Sequence, residues 1–195
     1  HMQKILVVED SLEISSVVTN ALAALRVQII VATSVSDALR QMQNQAFDLI
    51  ILDLVLPDGD GLDVLSRVRE SAEQHKTAVF VLSSKSDISS KISAFSIGAD
   101  DYMTKPFNLL ELRARVESKL KRQTIESGTE ENVFVGPFVL EVNKFSVLIK
   151  SINKTIHLSP IEFRLLCLFA KRPGNIFSRE QILDQIWDSD VHVTD

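Results

Sequence analysis

Phe47-Asp48-Leu49-Ile50-Ile51-Leu52-Asp53-Leu54-Val55-Leu56-Pro57-Asp58-Gly59-Asp60-Gly61 is the stretch that settles the fold class. The run Leu49 to Leu52 is apolar without alternation, as in a strand buried on both faces of a parallel sheet. It stops at a carboxylate, Asp53, and the Pro57-Asp58-Gly59 segment that follows reads as a turn. In open parallel sheets the ligand site lies beyond the carboxyl ends of the strands. Asp53 is therefore expected at a site, not in a core.

Working outward, the same grammar repeats. The run ILVV (5–8) ends at Glu9 and Asp10, VFVL (79–82) ends at Ser83 and Ser84, and DYM (101–103) leads to Lys105-Pro106. A further run, VQIIVA (27–32), lies between the first two. Amphipathic stretches separate these runs; Leu109, Leu112, Val116 and Leu120 recur at spacings of three and four, one face of a helix. Alternating strands and helices imply a parallel sheet covered on both faces, joined by right-handed crossovers. Five such units suit a flavodoxin-like, doubly wound, five-stranded parallel sheet.

The chemistry follows from convergence. Glu9, Asp10 and Asp53 bring carboxylates to one end of the sheet, Ser83 a hydroxyl and Lys105 an ammonium. A carboxylate can attack a phosphorus centre and form an acyl phosphate. Attack by an anion on an anionic phosphoryl group needs neutralisation, and Mg2+ held by one or two carboxylates, water and phosphate supplies it. Glu9 and Asp10 are candidate metal ligands, directly or through water. Lys105 and Ser83 are candidate partners of the phosphoryl oxygens. The LPDGDG turn can offer a backbone carbonyl to the metal.

Composition bounds the rest. The chain has 195 residues, 45% of them hydrophobic and 24% charged, with a net charge of −5. That is an ordinary globular balance with no overall basic footprint for nucleic acid. The single cysteine, Cys167, excludes an internal disulfide, fits a reducing cytoplasm and reads as a small core residue within LLCLF. No signal peptide and no membrane-spanning run is expected.

The pattern changes at Lys121. KRQTIESGTEEN (121–132) is polar, contains Gly128 and has no apolar period, so residues 123–131 are predicted to be a linker between a domain at 2–122 and another at 132–195. NVFVGPFVLEVNKFSVLIKSINKTIHL (132–158) is rich in Val, Ile and Phe, with turn signals at Gly136-Pro137, Asn143-Lys144 and Ser151 to Lys154, a small antiparallel sheet. Two helices are predicted after it. Ser159-Pro160-Ile161-Glu162 has the form of a capping box with proline at the first helical position, and the helix is expected to stop near Pro173-Gly174. Ser178 and Gln181 form a second box, with Ile182, Ile186 and Trp187 as the buried face.

The stretches VVED, LIILDLVLPDGDG, VFVLSSKSD and GADDYMTKPF make residues 2–122 resemble the receiver domain of bacterial two-component response regulators. That resemblance implies a histidine kinase as phosphoryl donor and Asp53 as acceptor. It implies Mg2+ on Glu9, Asp10, Asp53 and the Val55 backbone, Ser83 and Tyr102 as the switch pair, and a cis Lys105–Pro106 bond. HLSPIEFRLLCLFAKRPGNIFSREQILDQIW (157–187) resembles the start of the winged-helix effector domain of the OmpR/PhoB class, in which a third helix enters the major groove beside a hairpin wing. On that reading the recognition helix and wing are missing from this sequence, and DNA-binding residues are expected only in a full-length form. The stretch from Gly128 onward has seven basic and nine acidic residues, a net charge of −2, a poor footprint for a phosphate backbone.

In that class, active receivers form homodimers through the stretch 91–115. Lys91, Asp100, Asp101, Glu111 and Arg115 match its charged positions, and the resemblance implies cross-subunit pairs of Lys91 with Glu111 and Asp101 with Arg115. The expected function is phosphorylation-controlled transcription regulation, with no enzymatic activity beyond slow self-dephosphorylation. The alternative is phospho-switched signalling through protein–protein contacts without DNA. A hydrolase of the haloacid-dehalogenase type needs a second Asp two residues after the nucleophile, where this chain has Val55.

Overall fold

The computed structural model describes residues 2–71, 73–126 and 132–186. The chain divides into two compact units, 1–129 and 130–195. In the first, the strands β1 (Lys4–Val8), β2 (Gln28–Ala32), β3 (Leu49–Leu52), β6 (Ala78–Ser83) and β7 (Asp101–Thr104) form one parallel sheet in the order β2-β1-β3-β6-β7. A two-stranded hairpin, β4 (Val55–Leu56) and β5 (Gly59–Asp60), stands directly after Asp53. The helices are α1 (Leu12–Leu22), α2 (Val35–Asn44), α3 (Gly61–Glu70), α4 (Ile88–Ile97) and α5 (Leu109–Glu126).

Strand alternation sorts the core into two layers. Leu6, Val8, Ile50, Leu52, Val79 and Val81 face α2, α3 and α4, packing with Ala38, Met42, Val64, Leu65 and Ala94. Ile5, Val7, Leu49, Ile51 and Phe80 face the other way, onto Val18 and Leu22 of α1 and Leu112, Val116 and Leu120 of α5. Burial on both faces explains why these strands are apolar without alternation. Each such side chain contributes roughly 1.5–3 kcal/mol by leaving water.

The order reverses direction at β1 and β3, the switch point of a doubly wound sheet, and Glu9, Asp10 and Asp53 lie beside it. The expected linker begins later than predicted. α5 continues to Glu126, so residues 123–126 are helical. Polar composition does not break a helix when it lacks Gly and Pro, and the first of these is Gly128. Residues 127–131 lie outside the described residues.

In the second unit β8 (Val133–Val135), β9 (Phe138–Glu141), β10 (Ser146–Ile149) and β11 (Lys154–His157) form an antiparallel sheet in the order β11-β10-β9-β8. α6 (Pro160–Ala170) and α7 (Arg179–Ile186) follow. Leu140, Val142, Phe145, Val147 and Phe163 form its core, with Cys167 half-buried against them. The Ser159–Glu162 capping box closes in both directions, Glu162 Oε2 accepting from the Ser159 N–H at 2.8 Å. The Ser178–Gln181 box does the same, at 2.9 and 3.2 Å. Ile186 is buried; Trp187 lies outside the described residues. Among the described residues no helix is long and apolar enough to cross a membrane.

Candidate functional site

Each strand of the central three delivers its polar residue to the same end. Backbone hydrogen bonds continue the ladder one residue past the strands: Glu9 N–H donates to Ala32 O, Asp53 N–H to Val8 O and Lys105 N–H to Ser83 O, each at 2.9 Å. The side chains that follow are thereby held by the sheet itself. Glu9 and Asp53 are nearly buried, at 4% and 5% exposure, while Asp10 is exposed. Oxygens of Glu9, Asp10 and Asp53 lie within 4.8 Å of one another.

Four donors address the two buried carboxylates. Ser83 Oγ donates to Asp53 Oδ1 at 2.9 Å, and the Val55 N–H donates to the same oxygen at 3.0 Å. Lys105 Nζ bridges Asp53 Oδ2 and Glu9 Oε2, both at 2.5 Å. The Ser11 N–H donates to Glu9 Oε1 at 3.1 Å, and Ser11 in turn caps α1. Burial pushes the Glu9 carboxyl above its ordinary range, against the opposing pull of Lys105 and the Ser11 N–H. Burial also acts to lower the Lys105 ammonium, but Asp53 and Glu9 outweigh it and hold it above its usual value. The Lys105–Pro106 bond is cis.

Tyr102 connects this cluster to the surface. Its hydroxyl donates to Lys85 O at 2.6 Å, and its ring stands 6.4 Å from that of Phe95 with Lys91 Nζ 5.9 Å from its centroid. Burial, then the charge of Asp87, raises the Tyr102 phenol. Lys85 itself pairs with Asp60 at 3.2 Å.

Charged residues of the 91–115 stretch divide into two groups. Arg115 donates to Asp101 Oδ1 at 3.1 Å and to Glu111 Oε1 at 2.7 Å within the same chain. Asp100 does not belong with them. It is 1% exposed, and its Oδ2 accepts from Arg69 at 2.9 Å and from the Val79 N–H at 2.8 Å. The adjacent aspartates turn to different partners: Asp101, the first residue of β7, meets Arg115 of α5, while Asp100, just before the strand, meets Arg69 of α3.

Sequence reasoning missed several partners. Gly61 sits against the backbone of the site, where an added Cβ would meet Asp53 O at 2.1 Å. Arg69 binds the Gly98, His75 and Thr77 carbonyls besides Asp100. Asp58 receives the Val35 and Ser36 N–H groups.

A family model for the response regulator receiver domain matches residues 5–117, and one for the C-terminal domain of transcriptional regulatory proteins matches residues 153–195. The chain belongs to the OmpR/PhoB class of two-component response regulators. It is 34% identical to the KDP operon transcriptional regulatory protein KdpE of Escherichia coli over 186 residues, 95% of this chain and 80% of that protein. It is 31% identical to the phosphate regulon transcriptional regulatory protein PhoB of Rhizobium meliloti over 192 residues, 98% of this chain and 83% of the other. Among solved structures, the response regulator DrrB of Thermotoga maritima, an OmpR/PhoB homologue, matches with a TM-score of 0.58 and 32% identity, covering 96% of this chain and 81% of that one. As a response regulator, the chain pairs a receiver domain with a DNA-binding effector domain in a two-component system.

Proposed function

We propose that Asp53 is the phosphoacceptor of this response regulator and that its phosphorylation controls the output of the effector domain. The observation that carries the reading is the convergence on Asp53 of Ser83 at Oδ1 and Lys105 at Oδ2, beside Glu9 and Asp10. A histidine kinase supplies the phosphoryl group: an Asp53 oxygen bonds to phosphorus, the phosphorus–imidazole nitrogen bond breaks, and the imidazole leaves with a proton. Lys105 and Ser83 are placed to follow the phosphoryl oxygens as charge moves onto them.

Three carboxylates face one ammonium here, so the site holds surplus negative charge and hard oxygen donors, the set that suits Mg2+. Glu9, Asp10, Asp53 and the Val55 backbone would hold the ion, whose chemistry is to neutralise the phosphoryl oxygens. The Ser83 hydroxyl leaves Asp53 for the new phosphoryl group, and Tyr102, tied to the same loop through Lys85 O, responds. Turnover is limited to slow hydrolysis of the chain's own acyl phosphate in the cytoplasm, so the protein is no enzyme toward other substrates.

Phosphorylation drives a homodimer through Lys91, Asp101, Glu111 and Arg115. The exposed apolar side chains Ile88 and Ile92 of α4 support a docking surface there. Arg115 already holds Asp101 and Glu111 in its own chain, so association shares or exchanges these pairs instead of creating them from free charges. Promoter DNA is the partner of the effector domain.

The test is intact-mass analysis after incubation with acetyl phosphate and Mg2+. One phosphoryl group is expected, lost with a chelator and absent from Asp53→Asn. Incorporation that survives that substitution would overturn the assignment.

A further inference from the structure

We propose that Asp58 is a positioning residue for the divalent cation: by capping α2 it fixes the β4–β5 hairpin, and with it the Val55 backbone, beside Asp53. The inference rests on the reading that Glu9, Asp10, Asp53 and Val55 hold Mg2+.

The hairpin is too small to hold its own shape. It pairs Val55 with Asp60 and Leu56 with Gly59, leaving Pro57 and Asp58 as the connection. A ribbon of this size is not independently stable in water. It has two anchors. The base is tied to the phosphorylation site, where Val55 N–H donates to Asp53 Oδ1, Gly61 N–H donates to Leu54 O at 3.0 Å, and Gly61 leaves no space for a side chain. The apex is tied to α2, where Asp58 Oδ1 accepts from the Val35 N–H at 2.7 Å and Oδ2 from the Ser36 N–H at 2.9 Å.

α2 has a cap of its own. Ser34 Oγ accepts from the Asp37 N–H at 3.1 Å, which leaves the two preceding N–H groups for a donor-seeking carboxylate from elsewhere. Asp58 takes both, in a bidentate contact at the positive end of the helix. Packing reinforces the junction: Leu56 is buried in the same core layer that Val35 lines, and an added Cβ on Gly59 would touch Val35 Cγ2 at 3.4 Å. The hairpin apex therefore has one rotational setting relative to α2. Val55 lies between that apex and Asp53, and its backbone inherits the setting.

Removing the cap frees the apex without touching the carboxylates. Titration calorimetry with Mg2+ on the unphosphorylated full chain is expected to give an affinity about tenfold weaker for Asp58→Ala, the low end of what outer partners of metal ligands contribute. Asp58 is exposed and the freed N–H groups can turn to water, so the variant should stay folded, with the thermal midpoint lowered only by the loss of a helix cap. Asp58→Asn keeps one acceptor and loses the charge; affinity close to native supports positioning. In the acetyl phosphate reaction, Asp58→Ala should raise the KM for Mg2+ and leave kcat at saturating Mg2+ unchanged. Native affinity in Asp58→Ala overturns the proposal, and Asp58→Asn as weak as Asp58→Ala overturns it in favour of long-range charge. A native chain that binds no Mg2+, or Asp10→Asn binding as tightly as native, would instead overturn the metal site on which the proposal stands.

Discussion

Lys105 Nζ lies 2.5 Å from Asp53 Oδ2, reaching from the end of β7 to the end of β3 across the intervening strand β6. The Lys105 side chain is 14% exposed, and its ammonium also binds Glu9. A single cation is thus shared by two buried anions in a place where water screens little, and net negative charge remains. Lys105→Met is expected to slow phosphoryl incorporation from acetyl phosphate by about 10²- to 10³-fold, the usual loss for one charge-stabilising donor. Rates within a few-fold of native would remove Lys105 from the reaction.

Gly61→Ala places a Cβ 2.1 Å from Asp53 O and 2.8 Å from Leu54 Cα, both backbone atoms that cannot swing aside. The strand end must shift, and Asp53 with it. Reduced stability in urea unfolding together with impaired phosphorylation is the expected pair of effects. A stable, fully phosphorylatable Gly61→Ala would show that the 53–61 segment adapts freely.

Arg69 joins α3 to the C-terminal end of α4 through Gly98 O and to the residue before β7 through the Asp100 carboxylate. Arg69→Met removes the guanidinium from a carboxylate that is 1% exposed. The expected loss is about 3–5 kcal/mol, the penalty for leaving a buried charge without its partner. Asp100→Asn in the same background should recover part of it. A loss below about 1 kcal/mol in chemical denaturation would mean that water or another cation replaces Arg69.

Arg115→Glu reverses the charge that Asp101 and Glu111 both contact. Phosphorylation-driven dimerisation, followed by sedimentation velocity, is expected to disappear while phosphorylation of Asp53 continues. Dimerisation at native strength would sink the assignment of this face.

Asp87 caps α4, and the Ser89 hydroxyl, the Ser90 N–H and the Ser90 hydroxyl hold its carboxyl down to about 2 from an ordinary 3.8. A folded value below the unfolded one means the cap is fully stabilising above pH 3.8 and is lost as the pH falls toward 2. Intrinsically corrected exchange of the Ser90 amide should accelerate across that window and not between pH 5 and 7. Asp87→Ala should show fast exchange at every pH.

The receiver half was legible because its signals are local. β1, β3 and β6 are short, unalternating apolar runs, and each leads into a polar residue that the site uses. The Ser159–Glu162 and Ser178–Gln181 boxes were equally plain, since a cap is read from residues three apart. The linker boundary was misplaced at 123 because polar residues are compatible with both a helix and a coil. Asp100 reads as part of the dimer face beside Asp101 because adjacency in sequence hides that Asp100 precedes β7 and turns inward to Arg69 and the Val79 N–H.

The sequence by itself determined the alternation of elements, the doubly wound class and the identity of the polar residues at the strand ends. These depend on periodicity and on the residue that closes each apolar run. Tertiary structure alone decided which oxygen of Asp53 meets Ser83 and which meets Lys105, that Arg69 claims Asp100, and that Asp58 caps a helix 22 residues before it. Those choices depend on distances between segments far apart in the chain, and no local pattern encodes a distance that only packing sets.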